Sequence, residues 1–312
     1  MTGSEAARVA HPIEVKGLCK SYGTIEAVRD ASFSAERARI FGLIGPDGAG
    51  KTTIMRSIVS LVSCDSGEIL FQGKPVDRNT DYVRAHIGYM PQRFSLYQDL
   101  TVEENLRFFG DLFGVPRREM DARIERLYRF SALAPFRKRR AGALSGGMKQ
   151  KLALSCMLVH EPEVVVLDEP TFGVDPVARN EFWEILKDLA RSGTTILVST
   201  AYMDEALLCD VVALAYQGRL LATDAPARLL AGFPSRLYLA ATESPHLALR
   251  LLERTPLCRS CHLFGDGVHF TLREGASIAS AAKALEGRQA AVSEIRAIEP
   301  GLEDLFLELL KG

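Results

Sequence analysis

The chain has 312 residues, enough for one large and one small domain or for two domains of ordinary size. A hydrophobic content of 47% supports a buried core, and 38 basic against 39 acidic residues exclude a generally basic nucleic-acid-binding protein. No apolar run is long enough to cross a bilayer and no hydrophobic leader opens the sequence, so we expect neither an integral membrane protein nor a secreted disulfide scaffold.

Short apolar runs alternate with helical stretches along most of the chain, which predicts an α/β fold with a mostly parallel sheet. Strands are expected at residues 13–15 and 39–44, the second followed by a glycine-rich turn and a helix from 51 to about 62. A mostly helical pattern at about 93–160 predicts a helical subdomain, in which a capping box at Thr101 opens one helix. Buried strands are then expected at 164–167, 195–199 and 211–215, and an amphipathic helix at 175–191.

The pattern changes near Gly232, so we assign residues 1–232 to the first domain and 233–312 to a second one. The second domain alternates short strands, at 237–241, 268–272 and 292–297, with helices at 246–254, 278–285 and 302–310. This order predicts a small α+β domain, for which a ferredoxin-like arrangement is the candidate.

A glycine-rich turn with a defined spacing follows the predicted strand at 39–44. It fits the G-x-x-x-x-G-K-[ST] pattern between a strand and a helix, in which backbone N–H groups and the helix N-terminus receive phosphate oxygens. Lys51 would neutralise the β- and γ-phosphates, the Thr52 hydroxyl would bind Mg²⁺, and Thr53 would reach another phosphate oxygen. The loop consists of Gly45, Pro46, Asp47, Gly48, Ala49, Gly50, Lys51 and Thr52.

Two acidic residues follow the predicted buried strand at 164–167. Ligands of open α/β sheets sit at the carboxyl ends of the strands, where Asp168 and Glu169 are expected. Asp168 would hold Mg²⁺ through water, and Glu169 would act as the general base on the attacking water. Together with the Lys51 loop, these residues predict a nucleoside triphosphatase.

Residues 144–150 read Leu-Ser-Gly-Gly-Met-Lys-Gln, and with this segment the chain resembles the ATP-binding subunit of an ABC transporter over about residues 12–230. Ser145 is a good helix N-cap, and the two glycines after it leave their N–H groups open to an anion. The resemblance implies a P-loop ATPase core and a head-to-tail dimer. In that dimer Ser145, Gly146, Gly147 and Gln150 cover the ATP that a second subunit holds.

Further positions match the family by resemblance. Tyr22 corresponds to the aromatic residue that stacks on adenine, and Gln92 to the glutamine that touches Mg²⁺ or water. Asp175 corresponds to the residue that crosses the dimer interface, and it is also a helix N-cap candidate. Residues 94–97 fall where such subunits receive the coupling helices of the membrane partner, although their apolar side chains are equally compatible with a core.

One position departs from the family pattern. The segment from Ser199 to Ala206 aligns with the switch segment, whose third residue is normally histidine, and here it is Ala201. A methyl group cannot contact the γ-phosphate or orient water as an imidazole does. Because Glu169 is retained, we expect a working hydrolase. The alternative is a low-turnover, ATP-gated regulatory subunit paired with a competent cassette.

The resemblance implies an ATPase that uses ATP and Mg²⁺ and works with a separate transmembrane permease and a second cassette, identical or different. We therefore expect a cytoplasmic protein, peripheral on the inner face of the cell membrane. Residues 298–306 resemble the end of multidrug-type exporter ATPases, which favours export. A soluble ABC ATPase acting on ribosomes or DNA is the weaker alternative, and no nucleic-acid partner is expected.

The segment from Cys258 to His262 matches the C-x-x-C-H pattern of covalent haem attachment. Covalent haem requires an exported chain, and a zinc site would need two further ligands at metal spacing. We expect neither group here.

Overall fold

The computed structural model describes residues 9–93, 96–265, 267–285 and 292–311, and the chain forms two compact units. The first unit ends at Pro226 and the second begins at Ala227. A helix, Pro226–Ala231, starts at this boundary and ends just before Gly232, where the sequence pattern changes.

The first unit contains an antiparallel sheet, a mostly parallel sheet and a helical region. Its strands are β1 (Ile13–Tyr22), β2 (Ile25–Ala35), β3 (Ile40–Ile44), β4 (Ser66–Phe71), β5 (Lys74–Pro75), β6 (Ile87–Met90), β7 (Val164–Asp168), β8 (Thr195–Thr200), β9 (Val211–Tyr216) and β10 (Arg219–Asp224). Its helices are α1 (Lys51–Ile58), α2 (Thr80–His86), α3 (Val102–Leu112), α4 (Arg117–Ser131), α5 (Gly146–Leu158), α6 (Pro176–Arg191) and α7 (Met203–Ala206), and α8 (Pro226–Ala231) starts at the boundary.

The central sheet has the strand order β10-β9-β3-β8-β7-β6, and every neighbouring pair except β9/β10 is parallel. β3, β7 and β8 are buried at every residue, which explains why their sequences are continuous apolar runs without alternation. The expected mostly parallel sheet is therefore confirmed. Ile44 lies opposite Thr200 and Asp168 lies opposite Ser199, so the carboxyl ends of these three strands meet at one edge.

The antiparallel sheet, with the order β2-β1-β4-β5, is a feature that the sequence largely missed. We expected one short strand at 13–15, whereas β1 continues to Tyr22 and pairs with both β2 and β4. Register shifts interrupt both pairings, and Gly17 has a φ of 59°, so the apolar alternation is broken along the strand. The two sheets share a core in which Phe33 stacks on Phe41 with ring centroids 4.7 Å apart.

The helical region between β6 and β7 consists of α3, α4 and α5 with short 3₁₀ turns before α5. Thr101 caps α3 in a complete capping box with Glu104, as the sequence predicts. The helix that was expected to reach residue 62 ends at Ile58 instead, and Ser60 just beyond it has a φ of 57°. Beyond Asp168 the chain continues into α6, which begins at Pro176 and is capped by Asp175.

The second unit has the element order β-α-β-β-α-β followed by a helix. Its strands form an antiparallel sheet in the order β12-β13-β11-β14, which is the ferredoxin-like arrangement. The sequence missed the strand that contains Cys258. The elements are β11 (Leu237–Thr242), α9 (Pro245–Glu253), β12 (Cys258–Phe264), β13 (Gly267–Leu272), α10 (Ile278–Leu285), β14 (Val292–Ile298) and α11 (Leu302–Leu309). Among the residues described in both units, no helix has the length and apolar character needed to cross a membrane.

Candidate functional site

The glycine-rich loop joins β3 to α1 and is closely surrounded by neighbouring backbone. A Cβ atom at Gly45 would collide with the carbonyl oxygen of Ala215, and one at Gly50 with that of Ala27. Gly50 also has a φ of 95°, so glycine is required there for two separate reasons. No side chain caps α1 in the described structure, which leaves its first N–H groups available to an anion.

Lys51 is the first residue of α1 and is buried, with 4% of its surface exposed. Its Nζ donates to the carbonyl oxygens of Gly45, at 2.7 Å, and Pro46, at 3.0 Å. Glu169 Oε1 lies 3.0 Å from the same nitrogen. The ammonium group is therefore held at the base of the loop by two dipoles and one negative charge.

Asp168 ends β7 and is almost completely buried. Its Oδ1 accepts hydrogen bonds from Ser199 Oγ, at 2.8 Å, and Thr52 Oγ1, at 3.1 Å. Its Oδ2 is buried and has no hydrogen-bond partner among the described residues. An unsatisfied buried carboxylate oxygen beside a hydroxyl group is a donor set that fits a hard divalent cation such as Mg²⁺.

Glu169 follows Asp168 with a φ of 50°, a left-handed conformation that is unusual for a residue other than glycine and is frequent at functional sites. Its backbone N–H donates to Ser199 Oγ at 3.0 Å, and its Oε2 accepts from Gln92 Nε2 at 2.8 Å. The carboxylate is thus shared by Lys51 and Gln92. Two candidate site residues that are distant in sequence, Gln92 and Glu169, are in direct contact.

Lys51, Gln92 and Glu169 line a cavity of about 630 Å³, together with Thr52, whose hydroxyl group contacts Asp168. Tyr22 lies at its wall, half exposed, and pairs with the strongly exposed Ile25, the first residue of β2. The cavity therefore has a polar base at Lys51 and an apolar rim at Tyr22, as a phosphate-bearing ligand with a ring would require. Sequence reasoning missed several lining residues because it missed β2 and the turn after β9: Ile25, Glu26, Ala27, Arg29 and Gln217.

A second group of candidate residues lies on a different surface. Ser145 caps α5 by accepting from Met148 N at 3.3 Å, and Asp175 caps α6 by accepting from Ala178 N at 3.0 Å. The starts of the two helices are packed together, since a Cβ at Gly147 would lie 2.5 Å from Ala178 Cβ. We call the exposed residues Ser145, Gly146 and Asp175 the helix-start patch.

The helix-start patch is separate from the cavity, because none of its residues is among the described residues that line the cavity. Gly147 is buried, and its lack of a side chain permits the close contact with Ala178. Gln150 is half-buried, one turn further along α5. The cavity and the patch are thus two separate surfaces of the first unit.

Ala201 lies on the exposed side of the turn between β8 and α7. The described lining of the cavity includes no histidine. His86 packs on Tyr82 with ring centroids 4.2 Å apart, and His160 packs on Phe113 at 4.1 Å. Neither His86 nor His160 therefore supplies the imidazole that Ala201 lacks.

Cys258 is buried and Cys261 half-buried on β12, and in the described parts of the chain no three His, Cys, Asp or Glu side chains are grouped to hold a metal ion.

Of the segment expected to receive a membrane partner, Phe94 and Ser95 lie outside the described residues. Leu96 is buried, and Tyr97 is half exposed with its ring 4.4 Å from that of Phe108.

Comparison with known proteins shows which family and which proteins this chain resembles. A profile of the family described as "ABC transporter" matches residues 28–172. The chain is 42% identical over 214 residues to the probable multidrug ABC transporter ATP-binding protein YbhF of Escherichia coli K12, an alignment that covers 69% of this chain and 37% of that protein. The chain thus spans little more than a third of that relative.

A second relative is covered more completely. The Nod factor export ATP-binding protein I of Paraburkholderia xenovorans is 41% identical over 220 residues, which is 70% of this chain and 72% of that protein. Among solved structures, the ATP-binding subunit of an ABC transporter superposes with a TM-score of 0.64 at 30% identity, covering 71% of this chain and 92% of the other.

Proposed function

The chain belongs to the ABC transporter family, and from that membership we propose that it binds and hydrolyses Mg-ATP to drive transport through a separate membrane subunit. The observation that carries the proposal is the contact of Glu169 with both Lys51 and Gln92 at the base of the glycine-rich loop. One carboxylate is held next to the group expected to bind phosphate and next to an amide that can position water. This is the arrangement that hydrolysis of a phosphoanhydride needs.

Each residue has a defined task in this proposal. Lys51 and the free N–H groups at the start of α1 receive the phosphates of ATP, while Tyr22 stacks on the adenine ring. The oxygens of Thr52 and Asp168 hold Mg²⁺, which when bound neutralises charge on the phosphates. The unsatisfied Oδ2 of Asp168 supports this assignment.

Glu169 acts as the general base. When the phosphates engage Lys51, the carboxylate loses one of its two partners and is free to accept a proton from water on Oε1. Gln92, still within hydrogen-bond distance of Oε2, keeps the carboxylate oriented. The water oxygen then bonds to the γ-phosphorus as the bond to the bridging oxygen breaks, and the products are ADP and phosphate.

The helix-start patch serves a second cassette, identical or different. Ser145 and Gly146 are exposed and do not line this chain's own cavity, so they are available to cover the ATP of a partner. Phe172 and Val177 flank Asp175 and are 57% and 69% exposed, which is typical of a surface that becomes buried in an assembly. These features support a head-to-tail dimer closed by two ATP molecules.

We further propose that the cargo is exported and that the chain sits on the inner face of the cell membrane, bound to a permease. The names of the two relatives, a multidrug transporter subunit and a Nod factor export protein, support export. A low-turnover regulatory subunit is the second candidate, and Ala201 in the exposed turn is the observation that favours it.

The test is the Mg²⁺-dependent release of phosphate by the purified chain and by Glu169→Gln. We expect the variant to retain ATP binding and to lose turnover by about 100-fold or more, the usual contribution of a general base. Equal rates at background level would reject hydrolysis at this site and favour the regulatory subunit. Failure of both proteins to bind Mg-ATP would reject the nucleotide site itself.

A further inference from the structure

Arg179, one turn into α6, contacts the segment that follows Ala201. Its guanidinium carbon lies 4.3 Å from the centre of the Tyr202 ring, within the range of a cation–π contact. Its Nη1 lies 3.6 Å from Asp204 Oδ2, and its Nε lies 3.9 Å from Glu205 Oε1. One side chain of α6 therefore engages three residues of the switch segment, residues 199–206.

Glu205 makes this contact energetically important. The residue is 2% exposed, and neither of its carboxylate oxygens has a hydrogen-bond partner in the described structure. Arg179 Nε is likewise buried without such a partner. A buried carboxylate is costly unless a nearby positive charge compensates it, and the guanidinium of Arg179 is in that position. At 3.9 Å the pair is longer than a hydrogen bond, so a small movement of either element would change its strength.

The other end of the switch segment reaches the nucleotide cavity. Ser199 donates to Asp168 Oδ1 at 2.8 Å and accepts from Glu169 N at 3.0 Å. A ligand that engages Asp168 or Glu169 therefore alters the contacts of Ser199, the first residue of the segment. Ala201 itself has no side-chain group that could bind a phosphate, so its neighbours must carry any response of the segment to a ligand.

Arg179 also belongs to the start of α6. Its backbone N–H donates to Asp175 O at 2.9 Å, in the same turn in which Asp175 Oδ1 caps Ala178 N. A continuous set of contacts thus runs from Asp168 through Ser199 and the switch segment to Arg179, and from there to Asp175 in the helix-start patch.

We propose that Arg179 is a positioning residue that couples the occupancy of the nucleotide cavity to the helix-start patch, by holding the switch segment against α6. This inference rests on the proposed function, since it requires that the cavity binds Mg-ATP. In this coupling, engagement of Asp168 and Glu169 shifts Ser199, the shift changes the Arg179–Glu205 distance, and the first turn of α6 responds. The chain would then present its patch differently to a partner when ATP is bound.

The experiment measures amide hydrogen exchange at Ala178, whose N–H reports the cap at Asp175, with and without saturating Mg-ATP. It uses a protein concentration at which the chain stays monomeric, so that burial of the patch by a partner does not contribute. In the unaltered chain we expect Mg-ATP to change this exchange rate by about fivefold or more, a normal size for coupling between sites. In Arg179→Gln the response should disappear while the affinity for Mg-ATP stays within about twofold of the original, because Arg179 does not line the cavity. Arg179→Lys, which restores the charge, should recover part of the response.

The matched control is Arg191→Gln at the far end of the same helix, where the exposed arginine pairs with Asp188 at 2.9 Å. This variant should keep the full response to Mg-ATP. If Arg179→Gln does not fold because Glu205 is left uncompensated, the double variant Arg179→Gln/Glu205→Gln removes both charges and should also lack the response.

Two results would overturn the inference. One is a response to Mg-ATP that persists unchanged in Arg179→Gln, even if exchange is uniformly faster, since this would make the role of Arg179 structural. The other is an unaltered chain that binds Mg-ATP without any change at Ala178. A chain that fails to bind Mg-ATP would instead reject the proposed function.

Discussion

Lys51 Nζ lies 3.0 Å from Glu169 Oε1, and both side chains are less than a tenth exposed. The charge expected to hold phosphate and the charge expected to activate water therefore neutralise each other across the base of the cavity. Phosphates that engage Lys51 must weaken this pair, and the same event frees the carboxylate to accept a proton. In the proposed function, the ion pair would thus link phosphate binding to the release of the carboxylate that activates water.

Removal of Lys51 from this pair should lower both the stability of the protein and its affinity for ATP. In Lys51→Met the carboxylate of Glu169 remains buried without its cation, and breaking a buried pair in this way typically costs about 3–5 kcal/mol. We expect a lower free energy of unfolding and a loss of ATP affinity of about tenfold or more. Urea denaturation followed by the fluorescence of Trp183, the chain's single tryptophan, gives the first quantity.

The double variant Lys51→Met/Glu169→Gln separates the two effects. With the uncompensated charge removed, stability should recover relative to Lys51→Met, whereas ATP affinity should stay low. A double variant no more stable than the single one would show that the Lys51–Glu169 contact contributes little to the fold.

Ala201 provides a gain-of-function test. Because the side chain is exposed, Ala201→His should change the free energy of unfolding by no more than about 0.5 kcal/mol. An imidazole there can donate a hydrogen bond to developing charge, and we expect phosphate release to rise by about tenfold or more. Ala201→Gln controls for size and polarity. Equal turnover in all three proteins would mean that Glu169 and Gln92 suffice without this position.

The extent to which sequence predicts this molecule depends on the kind of element. The buried strands β3, β7 and β8 and the loop after β3 were located because continuous apolar runs and fixed spacings are local signals. Only the first three residues of β1 were located and β2 was missed, because register shifts and the left-handed Gly17 interrupt the alternation. The contact of Gln92 with Glu169 and the role of Ser199 depend on strand order, which no local pattern encodes.

Gly147 is a second position at which a local pattern could not show a tertiary contact. Its position in the Leu-Ser-Gly-Gly segment predicts an N–H group open to an anion, and the structure adds a packing contact with Ala178 that the segment did not indicate. Packing between α5 and α6 is a tertiary contact, and a sequence pattern shows only that glycine is present. Gly146, by contrast, has open space where a Cβ would be.

Substitution of these two glycines distinguishes packing from backbone function. Gly147→Ala would force α5 away from α6 and should cost about 1–3 kcal/mol of unfolding free energy, the usual effect of overpacking. Gly146→Ala has no atom to displace and should cost less than about 1 kcal/mol.

A second substitution checks the cause. Ala178→Gly removes the atom that the new Cβ would meet, so adding it to Gly147→Ala should relieve the overlap. The measured coupling between the two substitutions should be favourable, after allowance for the intrinsic cost of glycine in α6 of about 1 kcal/mol. Purely additive effects would contradict the packing explanation for Gly147.

His160, just beyond α5, should make the first unit sensitive to acid. Burial lowers the pKa of its imidazole from 6.5 to about 4, and its ring is stacked on Phe113. Well above pH 6.5 the imidazole is neutral in both the folded and the unfolded chain, so its titration does not change stability there. Between pH 6.5 and 4 the unfolded chain binds a proton that the folded chain resists, so stability falls as the pH falls.

His160→Phe keeps an aromatic ring against Phe113 and removes this titration. The difference in unfolding free energy between the variant and the unaltered chain should therefore grow in favour of the variant below pH 6.5, by on the order of 3 kcal/mol at pH 4. Urea denaturation monitored by Trp183 at several pH values measures this difference, in which the contributions of other titrating groups cancel. Parallel stability curves for the two proteins would mean that His160 gains its proton in the folded state as readily as in the unfolded one.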